Sequence, residues 1–128
     1  MKDETRLWIE YAEENLRSAE LLLENALYNP CLQNIQQAIE KMLKAVLIER
    51  SVKIKKTHSV RELLHLLTGS GLAINISEDE GDLIDSIYLP SKYPVGAVLP
   101  DYEPDEAVCR QCLDIATHVQ DCVKSYLR

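Results

Sequence analysis

The chain has 128 residues, 46% of them apolar, and a formal net charge of −7. Those figures fit one folded domain spanning 1–128 and exclude a disordered chain. They also argue against broad electrostatic binding of nucleic acid, so no DNA partner is expected, although one local basic site is compatible with them.

No apolar stretch is long enough to span a membrane, and the opening MKDETRLW lacks the apolar segment of a signal peptide, so no membrane partner and a cytoplasmic location are expected. There is no Phe, one Trp and six Tyr. The core must therefore come from Leu, Ile, Val and Ala.

Residues 4–27 read as the first helix, with Trp8, Tyr11, Leu16, Ala19, Leu22, Leu23 and Ala26 recurring at a helical period. In the following "YNPC", Asn29 suits an N-cap and Pro30 a first helical position, which predicts a second helix over about 30–50. Its stripe of Leu32, Ile35, Ile39, Met42 and Val46 is widened by Ala38, Leu43, Ala45 and Leu47. A stripe this wide needs neighbours on more than one side, which places the helix at the centre of a bundle.

Residues 51–57 form a basic connector. Ser59 with Glu62 matches a capping box, with Thr57 as a competing cap, and opens a short third helix over about 58–68. Gly69 and Gly71 are its expected terminators. Ser77 with Glu80 matches a second capping box and starts a fourth helix over about 78–88. Residues 89–104 hold four prolines and a glycine, which predicts a long functional or covering loop, with 95–99 weakly strand-like. Pro104 then opens a last helix running to about 127. The sum is an all-α, up-and-down antiparallel bundle of about five helices.

Charge is uneven along the chain. Residues 41–61 carry seven Lys or Arg against Glu49, whereas 78–106 carry nine acids against Lys92. Lys55, Lys56 and His58 crowd the start of helix three, where free backbone N–H groups would favour a phosphate. The bland reading is a solvated loop whose lysines balance nearby acids. Arg61 and His65 lie four apart on that helix, a pairing chemically admissible for metal-free RNA cleavage. The competing reading is an exposed Arg beside a half-buried His. His118 reads as a boundary residue. Cys109 and Cys112 form a CxxC that continues an apolar stripe, so core packing is expected and no metal site or cofactor is predicted.

The stretches WIEYAEENLRSAELLLE, YNPCLQNIQQAIEKMLKAVLIERSVKIKKTHSVRELLHLL and SKYP together resemble the HEPN family of helical domains. The resemblance covers nearly the whole chain and is most specific in the Gln-Gln-Ala-Ile-Glu-Lys run and the Lys-Thr-His that follows it. It implies a small helical bundle, commonly homodimeric, often made beside a minimal nucleotidyltransferase. Some such domains are metal-independent RNases acting as toxins, and others bind nucleotides, RNA or a partner protein without catalysis.

The RNase branch carries an Arg and a His separated by four to six residues, whereas Arg61 and His65 are separated by three and Arg110 and His118 by seven. The motif often written Arg-Tyr-Pro reads Lys92-Tyr93-Pro94 here, which keeps the charge but loses the bidentate fork. These departures point to a non-catalytic binding or adaptor domain. Lys55, Lys56, His58, Lys92 and Tyr93 are its candidate nucleotide or RNA contacts. One alternative is a metal-independent RNA-cleaving toxin of a toxin–antitoxin pair, using Arg61 and His65. Another is a bundle that serves assembly alone.

Overall fold

The computed structural model describes residues 1–54, 56–92 and 104–127, side chains of 89–92 aside. Five helices follow in order: α1 Asp3–Glu24, α2 Tyr28–Glu49, α3 Val60–Gly69, α4 Glu78–Lys92 and α5 Glu106–Tyr126. No strand occurs among the described residues. The fold is the expected all-α bundle, with α2 packed against each of the other four helices. Its wide apolar face explains this: Leu32, Ile35, Ala38, Ile39, Leu43, Val46 and Leu47 are all fully buried.

Where the element ends differ from expectation, local chemistry gives the reason. The first helix stops at Glu24 rather than 27, in a turn with Ala26 at φ 57°, the Leu27 N–H donating to Leu22 O and the Ala26 N–H to Leu23 O. The second begins at Tyr28, so Asn29 lies inside its first turn instead of capping it, and Pro30 stands third in the helix rather than first. Pro30 is tolerated there because first-turn N–H groups have no intrahelical acceptor. α2 ends in the same kind of turn, with Ser51 at φ 56° and the Val52 N–H on Leu47 O at 2.9 Å. α3 ends likewise at Gly71, φ 82°, a conformation that glycine adopts freely.

Only half of the first predicted capping box forms. Ser59 Oγ accepts from the Glu62 N–H, but the Ser59 N–H donates to Thr57 Oγ1. The second box is complete, since Ser77 N–H donates to Glu80 Oε1 and Glu80 N–H to Ser77 Oγ. α4 continues to Lys92, four residues past the expected end and through Pro90. Burial of Ile84 and Ile87 holds the preceding turns, and the lost donor at Pro90 falls in the final turn. Residues 89–92 of the predicted loop are thus helical, and the weakly strand-like 95–99 lies outside the described residues. Asp105 caps α5, accepting from the Val108 N–H at 2.8 Å.

The CxxC packs as expected. Cys31, Cys109 and Cys112 are fully buried between α2 and α5, and Cys109 Sγ donates to Tyr28 O. Burial pushes the Cys109 and Cys112 thiols up to about 12 and raises Cys31 as well.

Candidate functional site

The polar centre of the molecule grows from one face of α2. Gln36, Glu40 and Lys44 follow one another at four-residue steps, so they stack along one side of the helix. The Glu40 side chain is 5% exposed, and a carboxylate this deep needs partners on both oxygens. It has them. Oε1 receives Lys44 Nζ at 2.7 Å and meets His58 Nδ1 at 3.0 Å, while Oε2 accepts from Gln36 Nε2 at 2.9 Å. Gln36 is itself fully buried and also reaches the His58 carbonyl. Both ends of His58 are thereby tied to α2.

His58 stands just outside α3, ahead of the Ser59 N-cap, rather than within the first turn. Its ring lies flat against Tyr88 of α4, with centroids 4.7 Å apart and planes inclined by 15°. Lys56, Thr57, His58, Ser59, Asp85 and Tyr88 line an open cleft of about 440 Å³. An imidazole pinned from below, an aromatic ring beside it and a solvent-facing ammonium at Lys56 are groups that suit a base and a phosphate.

A phosphate could not, however, use the N-terminus of α3. Asp85 already occupies that position: its carboxylate accepts from the Val60 N–H at 2.6 Å, the Arg61 N–H at 3.3 Å and the Ser59 hydroxyl at 2.9 Å. The expectation of free N–H groups at this helix start is corrected. The carboxylate fills the anion position from within the protein, favoured there by the helix dipole.

Arg61 and His65 do share a hollow, one of about 170 Å³ walled by Leu64, Thr68, Ile76 and Glu78. Arg61 is held by α4, with its guanidinium 3.0 Å from Asp82 and 3.7 Å from Glu78. The basic and acidic stretches of the sequence therefore meet here. His65 is exposed rather than half-buried, and His118 is exposed on α5.

Of the remaining candidates, Lys55 and Tyr93 lie outside the described residues, and Lys92 closes α4 with no side chain described. Sequence reasoning missed Gln36, Glu40, Asp85 and Tyr88. The first two carried a signal: polar residues at four-residue spacing in a helix that is otherwise buried. Among the described residues, no three His, Cys, Asp or Glu side chains group as metal ligands, and no helix is long and apolar enough to cross a membrane.

The described residues form a helical bundle with an open polar cleft between the α2–α3 connector and α4. The HEPN domain family model matches residues 5–126, and the chain belongs to the HEPN family. The fold is similar to that of TT1696 from Thermus thermophilus, at 26% identity and a TM-score of 0.75 over 98% of this chain and 99% of that one. It is also similar to ST0689, an archaeal HEPN homologue, at 24% identity and 0.70 over the full length of both. A HEPN domain protein from Thermotoga maritima aligns at 22% identity and 0.58 over 93% of this chain and 92% of that one. No curated protein sequence matches.

Proposed function

We propose that this HEPN domain binds a nucleotide or RNA phosphate in the cleft beside His58. It would act without catalysis, as a homodimer paired with a minimal nucleotidyltransferase. The observation that carries the reading is the His58–Tyr88 stack at 4.7 Å, locked from below by Glu40 and flanked by Lys56. Asp85 does not repel a phosphate as a bare carboxylate would, because three donors and a helix N-terminus already compensate it. Lys55, next to Lys56 in sequence, is a second basic residue of the connector. Lys92 follows Tyr88 by about one turn of α4, and Tyr93 is next in sequence. Fluorescence anisotropy with labelled RNA and competing nucleotides tests this. Lys56→Glu and Tyr88→Leu should each weaken binding about tenfold. Unchanged affinity in both would remove the cleft from the account.

A second reading has its own observation. Arg61 and His65 line one hollow, which supports metal-independent RNA cleavage with His65 moving the proton and Arg61 facing the phosphate. It requires Arg61 to leave Asp82 when RNA arrives. EDTA-resistant cleavage abolished by His65→Ala would establish this reading over the non-catalytic one. Absence of cleavage across a varied RNA set, by a preparation that binds those RNAs, would exclude it.

A further inference from the structure

The cleft is not the end of the polar aromatic surface. Lys44, which shares a Glu40 oxygen with His58, also reaches towards α1, where its ammonium sits 5.7 Å from the Trp8 ring centroid. About one turn back along α2, Lys41 stands 5.9 Å from the Tyr11 ring centroid, and its ammonium donates to Asn15 Oδ1 at 2.7 Å. Asn15 in turn donates to Asn34 Oδ1, joining α1 to α2 through amides. Tyr11 is 51% exposed, far more than its role as a helix-period residue needs.

This edge differs in charge from the rest of an acidic molecule. Glu13 faces the opposite side of α1, where it lines a hollow with Val123 and Lys124 of α5. Glu10 and Glu20 share the Glu13 side by helical spacing. Glu4, four residues before Trp8 and seven before Tyr11, and Glu14, three residues after Tyr11, share the ring side by helical spacing and bracket the two rings along the helix. Between them the α1–α2 edge offers the Trp8 and Tyr11 rings, the Lys41 ammonium and the Asn15 and Asn34 amides, joined to His58 through Lys44 and Glu40.

We propose that this edge is a second binding station, along which a single-stranded oligonucleotide continues from the cleft beside His58 and Tyr88. A base stacks on Tyr11, and Lys41 meets the backbone phosphate there. Alternating π faces and cations recognise single strands without reading their sequence. The proposal rests on the reading of the cleft as a phosphate-ligand site, and it adds a second station outside that cleft.

The test is anisotropy with a labelled oligouridylate of about eight nucleotides, with uridine monophosphate as competitor. Wild type is compared with Tyr11→Ala, Lys41→Gln and the cleft variant Lys56→Glu, each checked for its helical spectrum and melting. The edge variants should weaken the oligonucleotide at least about fivefold and leave the mononucleotide unchanged, while Lys56→Glu weakens both. If the edge variants leave the oligonucleotide unchanged while Lys56→Glu weakens both ligands, the edge proposal fails and the cleft reading stands. If neither ligand binds the wild-type protein, both fall.

Discussion

Glu40 and His58, eighteen residues apart, meet through Oε1 and Nδ1 at 3.0 Å, and that contact fastens the α2–α3 connector to the central helix. The same oxygen holds Lys44, so one buried carboxylate organises a cation on its own helix and an imidazole at the mouth of the cleft. Breaking it leaves Lys44, whose side chain is 14% exposed, without its counter-charge. Glu40→Gln should lower stability by about 2–4 kcal/mol in urea denaturation, because a desolvated ion pair loses one partner. His58→Ala should cost less, about 1 kcal/mol, since the half-exposed imidazole leaves Lys44 and Glu40 paired.

Asp85 is the built-in anion of α3. Asp85→Ala should destabilise the protein by about 1–2 kcal/mol, through loss of the cap and of the favourable dipole interaction. It should also create an anion site. Sulfate is expected to raise the melting temperature of the variant more than that of the wild type. Equal responses would show that the exposed N–H groups are satisfied in another way.

Ala26 and Ser51 hold left-handed backbone at the two ends of α2, at φ 57° and 56°. A β-carbon is strained there and glycine is not. Ala26→Gly and Ser51→Gly should each stabilise by about 0.5–1 kcal/mol in urea denaturation. The two sites lie on opposite ends of a 22-residue helix, so the gains should add in the double variant.

The thiols give a pH dependence of definite sign. Burial holds Cys109 and Cys112 at about 12, above the value of about 8.5 for a free thiol. A raised folded-state value means the neutral thiol is favoured by folding. The associated stability is complete below the free-thiol value and is lost as pH rises towards 12. Denaturation midpoints should therefore fall above about pH 9. In alkylation followed by mass spectrometry at neutral pH, Cys122, which is only partly buried, should react first. Early modification of Cys109 would contradict the packing described for α5.

Much of the architecture was legible in the sequence because helices announce themselves by period. The breadth of the α2 stripe marked it as central, and Ser77 with Glu80 marked a helix start that formed in full. The ends of α1 and α2 were not legible, since Ala26 and Ser51 carry no signature of left-handed backbone and their turns are set by the packing around them. Pro90 misled for a related reason, because a proline counts as a breaker only until burial of the preceding turns outweighs it.

The site was half legible. His58 and Lys56 stood out as charge in a loop. Their organisers did not: Glu40 reads as a surface acid until the helix packs, and Asp85 lies 26 positions from the Ser59 it bonds. The pairing of Arg61 with Asp82 is likewise a long-range event that local charge counts miss.

The central claim is that a phosphate-bearing ligand binds in the cleft beside the stacked His58 and Tyr88 rings. The most direct measurement is amide and side-chain chemical-shift mapping on isotope-labelled protein, titrated with a ribonucleotide. The account predicts saturable shifts concentrated on Lys56, Thr57, His58, Ser59 and Tyr88, and their loss in Lys56→Glu. Saturable shifts centred on Arg61 and His65 instead, or none at any of these positions, would contradict it.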